Sequence, residues 1–195
     1  MIFRRIIIYT LISASSLLLL WILSPANIIP PVDPIKPVTV YVTDRGLHSR
    51  LILPVEDGKF IEYAYGDWNY FALNKQSISY GLAALFTKTQ AALGRQIFKN
   101  QSQIQGLVKQ DNINLLSFEV AQSKALSLGK SLEQRFQRNI DTQVKNPSTG
   151  LTLVQDEREY TLFHNSNHEL VSWLEDLECQ VTGFVMWSNF RVYDT

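Results

Sequence analysis

The chain has 195 residues, with 18 basic and 18 acidic side chains and no formal net charge. That balance gives no electrostatic pull toward nucleic acid. The length accommodates one domain plus accessory segments, and the single cysteine, Cys179, excludes an internal disulfide.

Arg4 and Arg5 precede "IIIYTLISASSLLLLWIL", residues 6 to 23, a run without charge. About 18 apolar or small residues reach the lower limit for crossing the hydrocarbon core as a helix. A secretory signal has a shorter apolar region of about 7–15 residues. Although "SPA" at residues 24–26 is a weak small-residue cleavage site, the uninterrupted length favours an uncleaved anchor over residues 1–24, in contact with the lipid bilayer through residues 6–23. No cysteine lies near this segment, which excludes a lipoprotein. Basic residues stand before the span and none follows until Lys36, so the positive-inside rule predicts a cytoplasmic N-terminus. The main domain is then expected outside the cytoplasm, periplasmic or extracellular.

"SPANIIPPVDPIKP" holds five of the seven prolines and reads as an extended spacer over residues 25–37, leaving 38–195 as the folded domain. "VTVYVT" at residues 38–43 is β-branched and predicts a strand. His48 opens a second strand, "HSRLILPV", the "EDGK" segment turns, and "FIEYAYGDW" forms a third. Leu82, Leu85, Phe86, Leu93 and Phe98 suit helical segments between residues 77 and 98, with Gly81 and Gly94 as weak points. "INLLSFEV" predicts a strand, and Ser123 is placed to cap the amphipathic "KALSLGKSLEQRFQRN". "QVKNPSTG" reads as a loop, and "LTLVQ" and "EYTLF" as a hairpin turning at "DER". A helix from about residue 167 to 179 follows, and "FVMWSNFRVY" closes as a strand. The predicted class is α+β, an antiparallel sheet packed against helices, preceded by one transmembrane helix.

The chemistry concentrates in "FHNSNHE", residues 163–169, which holds two of the three histidines. Ser166 and Glu169 match the S-x-x-E capping box, a purely structural role. His164 and His168, with His48 as a third ligand, offer a weaker zinc reading, because His164 falls before the helix and no H-E-x-x-H pattern is present. No cofactor is indicated.

"VYVTDRGLHSRLILPV", "EYAYGDWNYF" and the late "YTLFHNSN" leading into a helix resemble a bacterial domain-of-unknown-function family with members noted near urease genes. Its order of an early histidine and a late nucleophile is similar to permuted papain-like folds of the NlpC/P60 type. The resemblance spans most of residues 38–183 and implies a cysteine at a helix N-terminus facing a strand-borne histidine. There the helix dipole stabilises a thiolate and the imidazole serves as base. This chain has Ser166 at that position. Cys179 sits at the far end of the helix beside Glu178, where both neighbours raise a thiol pKa. Two readings therefore follow. One is an amidase, peptidase or acyl hydrolase using Ser166, with His48 as base and Asp67, less readily Glu62, as orienter. The other is a catalytically weakened or silent relative that binds an envelope peptide, cell-wall or lipid ligand, favoured because a serine is harder to ionise than a thiol and has a ready capping role.

Overall fold

The computed structural model describes residues 2–46, 48–111 and 113–193. Helix α1 (Ile2–Leu23) leads directly into the short strand β1 (Ala26–Ile29). Seven strands then form one antiparallel sheet: β2 (Pro37–Asp44), β3 (Ser49–Pro54), β4 (Phe60–Asp67), β5 (Thr89–Phe98), β6 (Asn114–Ala121), β7 (Val144–Lys145) and β8 (Thr152–Tyr160). Their spatial order is β6-β2-β3-β4-β5-β8-β7. Helices α2 (Ile78–Phe86), α3 (Gln101–Asp111), α4 (Gln122–Arg138) and α5 (Ser166–Asp176) lie between or after the strands. A second sheet, β10-β1-β9, brings together β1, β9 (Gln180–Thr182) and β10 (Phe190–Val192).

The two-residue period of the strands sorts the core into layers. Val40, Val42, Leu51, Leu53, Tyr63 and Leu93 join one cluster with the apolar sides of α4 and α5. Their neighbours Tyr41 and Ile52 pack on the other side with Phe98 and Ile104, the latter from α3. In α4, Ala125, Leu128, Leu132 and Phe136 recur every three or four residues and are buried, the stripe that seats the helix on the sheet. Sheet and helices thus form the mixed α/β architecture expected, with antiparallel strands and one apolar N-terminal helix.

Several local expectations need correction. Residues 89–98 are a strand: β4 and β8 flank them on both sides, and that pairing outweighs a helical spacing of leucines. Gly94 suits this central position, because a Cβ there would meet Leu153 at 3.1 Å and Leu151 at 3.3 Å. "TLVQDEREY" is one continuous strand, β8, whose pairing with β5 shifts register between Gln90 and Ala92. Its Asp156 is buried in a two-pronged ion pair with Arg135, at 2.6 and 2.7 Å, so it does not turn the chain. Ala121 occupies the α4 N-cap without a side-chain bond, leaving Ser123 inside the first turn. Within the "QVKNPSTG" loop, Val144 and Lys145 pair with β8. Within the spacer, Ala26 and Ile28 are fully buried in the second sheet, so this stretch is extended but docked. Only Phe190–Val192 of the expected closing strand are paired; residues 184–189 form a loop.

Candidate functional site

The site assembles where the start of β3 meets the start of α5. Asn165 holds an extended backbone, and its Oδ1 accepts the N–H groups of Asn167 at 3.0 Å and His168 at 3.2 Å. Asparagine caps a helix as well as serine does, so Ser166 becomes the first helical residue. The S-x-x-E capping box does not form. Glu169 is instead fully buried, accepting from Arg135 at 2.5 Å, Arg158 at 2.8 Å and the Trp173 indole at 3.1 Å.

Freed from capping, the buried Ser166 hydroxyl lies 2.8 Å from His48 Nδ1, across 118 positions of sequence. Three sets of bonds hold this meeting in place. The Ser49 N–H donates to Asn167 Oδ1 at 3.2 Å, tying β3 to α5 beside His48. Ser188 joins Ser49 at 2.6 Å and donates to Asp44 at 2.7 Å, drawing the 184–189 loop onto the same corner. Asn167 Nδ2 donates to the Met186 carbonyl at 3.1 Å from the other side. The His48 ring also rests on Phe71, with centroids 5.4 Å apart.

Burial, reinforced by the Arg50 guanidinium, lowers the His48 pKa to about 4. The imidazole is therefore neutral near pH 7, and its tautomer sets which of Nδ1 and the serine hydroxyl donates in their hydrogen bond. Tyr160, at the end of β8, faces the same hydroxyl. Burial pushes its phenol up to about 12, against a downward pull from the backbone N–H and side chain of Ser166.

Asp67 reaches the same pocket but does not hydrogen-bond His48. One oxygen accepts the Tyr70 N–H at 2.6 Å, capping the turn after β4, and the other has no hydrogen-bond partner among the described residues. Glu62 is committed elsewhere, to Arg50 at 2.9 Å and Thr43 at 3.1 Å. Neither carboxylate orients His48. The zinc arrangement is not formed either: His164 sits 2.9 Å from Glu169, and His168 Nδ1 is 2.9 Å from Asn165. Among the described residues no cluster of three metal ligands occurs. Cys179 is buried, and desolvation raises its thiol to about 12.

Above the pair opens a pocket of about 410 Å³. Its lining is mostly apolar, with Phe71, Ala84, Leu85, Phe86, Leu162 and Trp187 around His48 and Ser166. A cavity of this size accommodates a small ligand or part of a chain. Tyr160 and Asn165 escaped the sequence reading, although Asn165 left a usable signal, an asparagine directly before the serine.

Comparison of the chain with protein-family models, with curated proteins and with solved structures gives no match.

The arrangement supplies a serine at a helix N-terminus, hydrogen-bonded to an imidazole beside an apolar cavity. It lacks two things a serine hydrolase uses. Among the described residues no carboxylate hydrogen-bonds His48, so proton removal from Ser166 meets a weak base. The Asn167 and His168 N–H groups, which could receive an oxyanion, are taken by Asn165.

Proposed function

We propose that this chain is a membrane-anchored cell-envelope protein whose domain, of permuted papain-like type, binds an apolar ligand against a catalytically weakened Ser166–His48 pair. The carrying observation is the 2.8 Å contact between Ser166 Oγ and His48 Nδ1 on the floor of a mostly apolar pocket. It supports a papain-like arrangement in which a helix N-terminus presents the nucleophile position to an imidazole directly before a strand. The membrane anchor reading draws on Ile6–Leu23, a window long and apolar enough to cross a bilayer, with none of its residues buried inside the protein. Arg4 and Arg5 before that span favour an extracytoplasmic domain. Peptide side chains, cell-wall peptides and lipid chains all carry apolar parts that would fit.

Binding without rapid turnover follows from the missing orienter and the occupied N–H groups. The second reading, an acyl hydrolase or amidase with Ser166 as nucleophile and His48 as base, is favoured by the same short contact. Hydrolysis of 4-nitrophenyl butyrate by the full chain in nanodiscs separates the two. The expected outcome is a rate within a few-fold of the Ser166→Ala and His48→Ala variants. Turnover at least 100-fold above both variants establishes the hydrolase reading instead. Ligand binding is read with a soluble alkyl-diazirine fatty acid, which should crosslink to wild type several-fold more than to Ala84→Trp, where an indole fills the cavity.

A further inference from the structure

We infer that the mouth of this pocket docks on the bilayer surface, so that a membrane lipid chain is the ligand reaching Ser166. The inference rests on the anchor and binding readings above and narrows them to one ligand source. Its basis is the unusual surface around the pocket. Ile78 at 83 %, Phe86 at 74 % and Phe163 at 80 % exposure stand in water, joined by Leu82, Leu85 and Trp187. Gly81, Ala84, Leu85 and Phe86 of the same helix line the cavity within. Helix α2 is thus apolar toward both the pocket and the outside, the pattern of an element that has a nonaqueous neighbour on each side.

Covalent geometry says what that neighbour is. Only Ser24 and Pro25 separate the end of α1 from β1. Trp21 packs against Phe184 with centroids 5.4 Å apart, and the Asn189 side chain donates to the Leu23 carbonyl at 3.2 Å. Both contacts fall on the 184–189 loop, whose Met186 and Trp187 line the pocket. The last turn of the candidate span therefore abuts the pocket-bearing corner of the domain. Charge agrees in part: Lys75 precedes α2 and no acidic residue occurs from Phe71 to Gln110, while Lys88 after the helix pairs with Glu159 at 2.9 Å. Basic residues beside an exposed apolar helix suit an anionic lipid interface.

The test reconstitutes the full chain in vesicles of phosphatidylethanolamine and phosphatidylglycerol. Nitroxides are placed by Ile78→Cys, Phe86→Cys, Phe163→Cys, Ile12→Cys in α1 and the exposed Lys130→Cys on α4. Buried Cys179 serves as the unlabelled background. Labels at 78, 86 and 163 should favour collision with oxygen over an aqueous nickel chelate several-fold, and Lys130→Cys should show the reverse. A phospholipid with a diazirine at its chain end should also crosslink to α2, less so in Ala84→Trp. Rim labels that behave like Lys130→Cys, or that are shielded from both reagents by a protein contact, overturn the docking. If Ile12→Cys remains lipid-exposed in that case, the anchor reading survives and only the docking is lost. An aqueous Ile12→Cys overturns both. Rim labels in lipid without phospholipid crosslinking reject lipid as the ligand.

Discussion

Asn165 and Ser166 stand side by side, and the division of labour between them decides what the site is. Because Asn165 Oδ1 holds the Asn167 and His168 N–H groups, Asn165→Ala should cost about 0.5–2 kcal/mol. It should also accelerate hydrogen exchange at those two amides, whereas Ser166→Ala should leave their exchange within two-fold of wild type. His48 carries a pH signature. Its pKa falls from 6.5 to about 4 on folding. Between these values the unfolded chain binds the extra proton, so stability is full above pH 6.5 and declines as pH falls toward 4. Denaturant midpoints for His48→Gln should lose that part of the pH slope. Sequence alone made both partners of the dyad visible, because strand and helix starts leave clear patterns. It misassigned the cap because serine and asparagine are equally good N-caps, and two of them in succession leave the choice to tertiary contacts. It named Asp67 as orienter from proximity along β4, but a carboxylate three residues before Tyr70 is drawn to that backbone N–H.

Elements are held in register by buried charge as well as by apolar contact. Burial pushes the Glu169 carboxyl up, yet Arg135 and Arg158 together pull it below the usual carboxylate range. Its contribution is therefore present above the unfolded pKa of about 4.3 and is lost as pH falls through the lower folded value. Glu169→Gln should cost about 3 kcal/mol, the lower end for breaking a buried pair, since Arg135 retains Asp156. Equilibrium unfolding at pH 7 checks this, and the variant should flatten the acid limb below pH 4.3. Gly66 is a second control point: a Cβ there would collide with the Phe71 ring, the surface on which His48 rests. Gly66→Ala should destabilise by about 1–3 kcal/mol and broaden the His48 resonances in NMR. The strands flanking these features were legible by alternation and β-branched content. The strand at residues 89–98 was not, because alanines and a glycine at its centre carry no period of their own. Its identity comes from partners on both edges.

On the scale of the whole molecule, the two-residue link from α1 to β1 makes the apolar helix continuous with the second sheet. The apolar helix was plain in the sequence; the docking of residues 26–29 was not, since proline richness signals extension and says nothing about what the extended chain pairs with. A reporter active only in the cytoplasm, fused after Thr195, should stay silent if Arg4 and Arg5 set the orientation. The proposal that a nucleophile position and its imidazole share one weakened site is tested most directly by restoring sulfur. Ser166→Cys places a thiol at a helix N-terminus, at the position whose native hydroxyl lies 2.8 Å from His48 Nδ1, while native Cys179 stays buried with its thiol raised to about 12. The decisive measurement is the iodoacetamide alkylation rate of the full chain at pH 7, followed at each cysteine by mass spectrometry. The thiol of Ser166→Cys should react at least 10-fold faster than that of Cys179, and adding His48→Ala should slow it several-fold. Equal rates at the two thiols, unaffected by His48→Ala, would contradict the shared site.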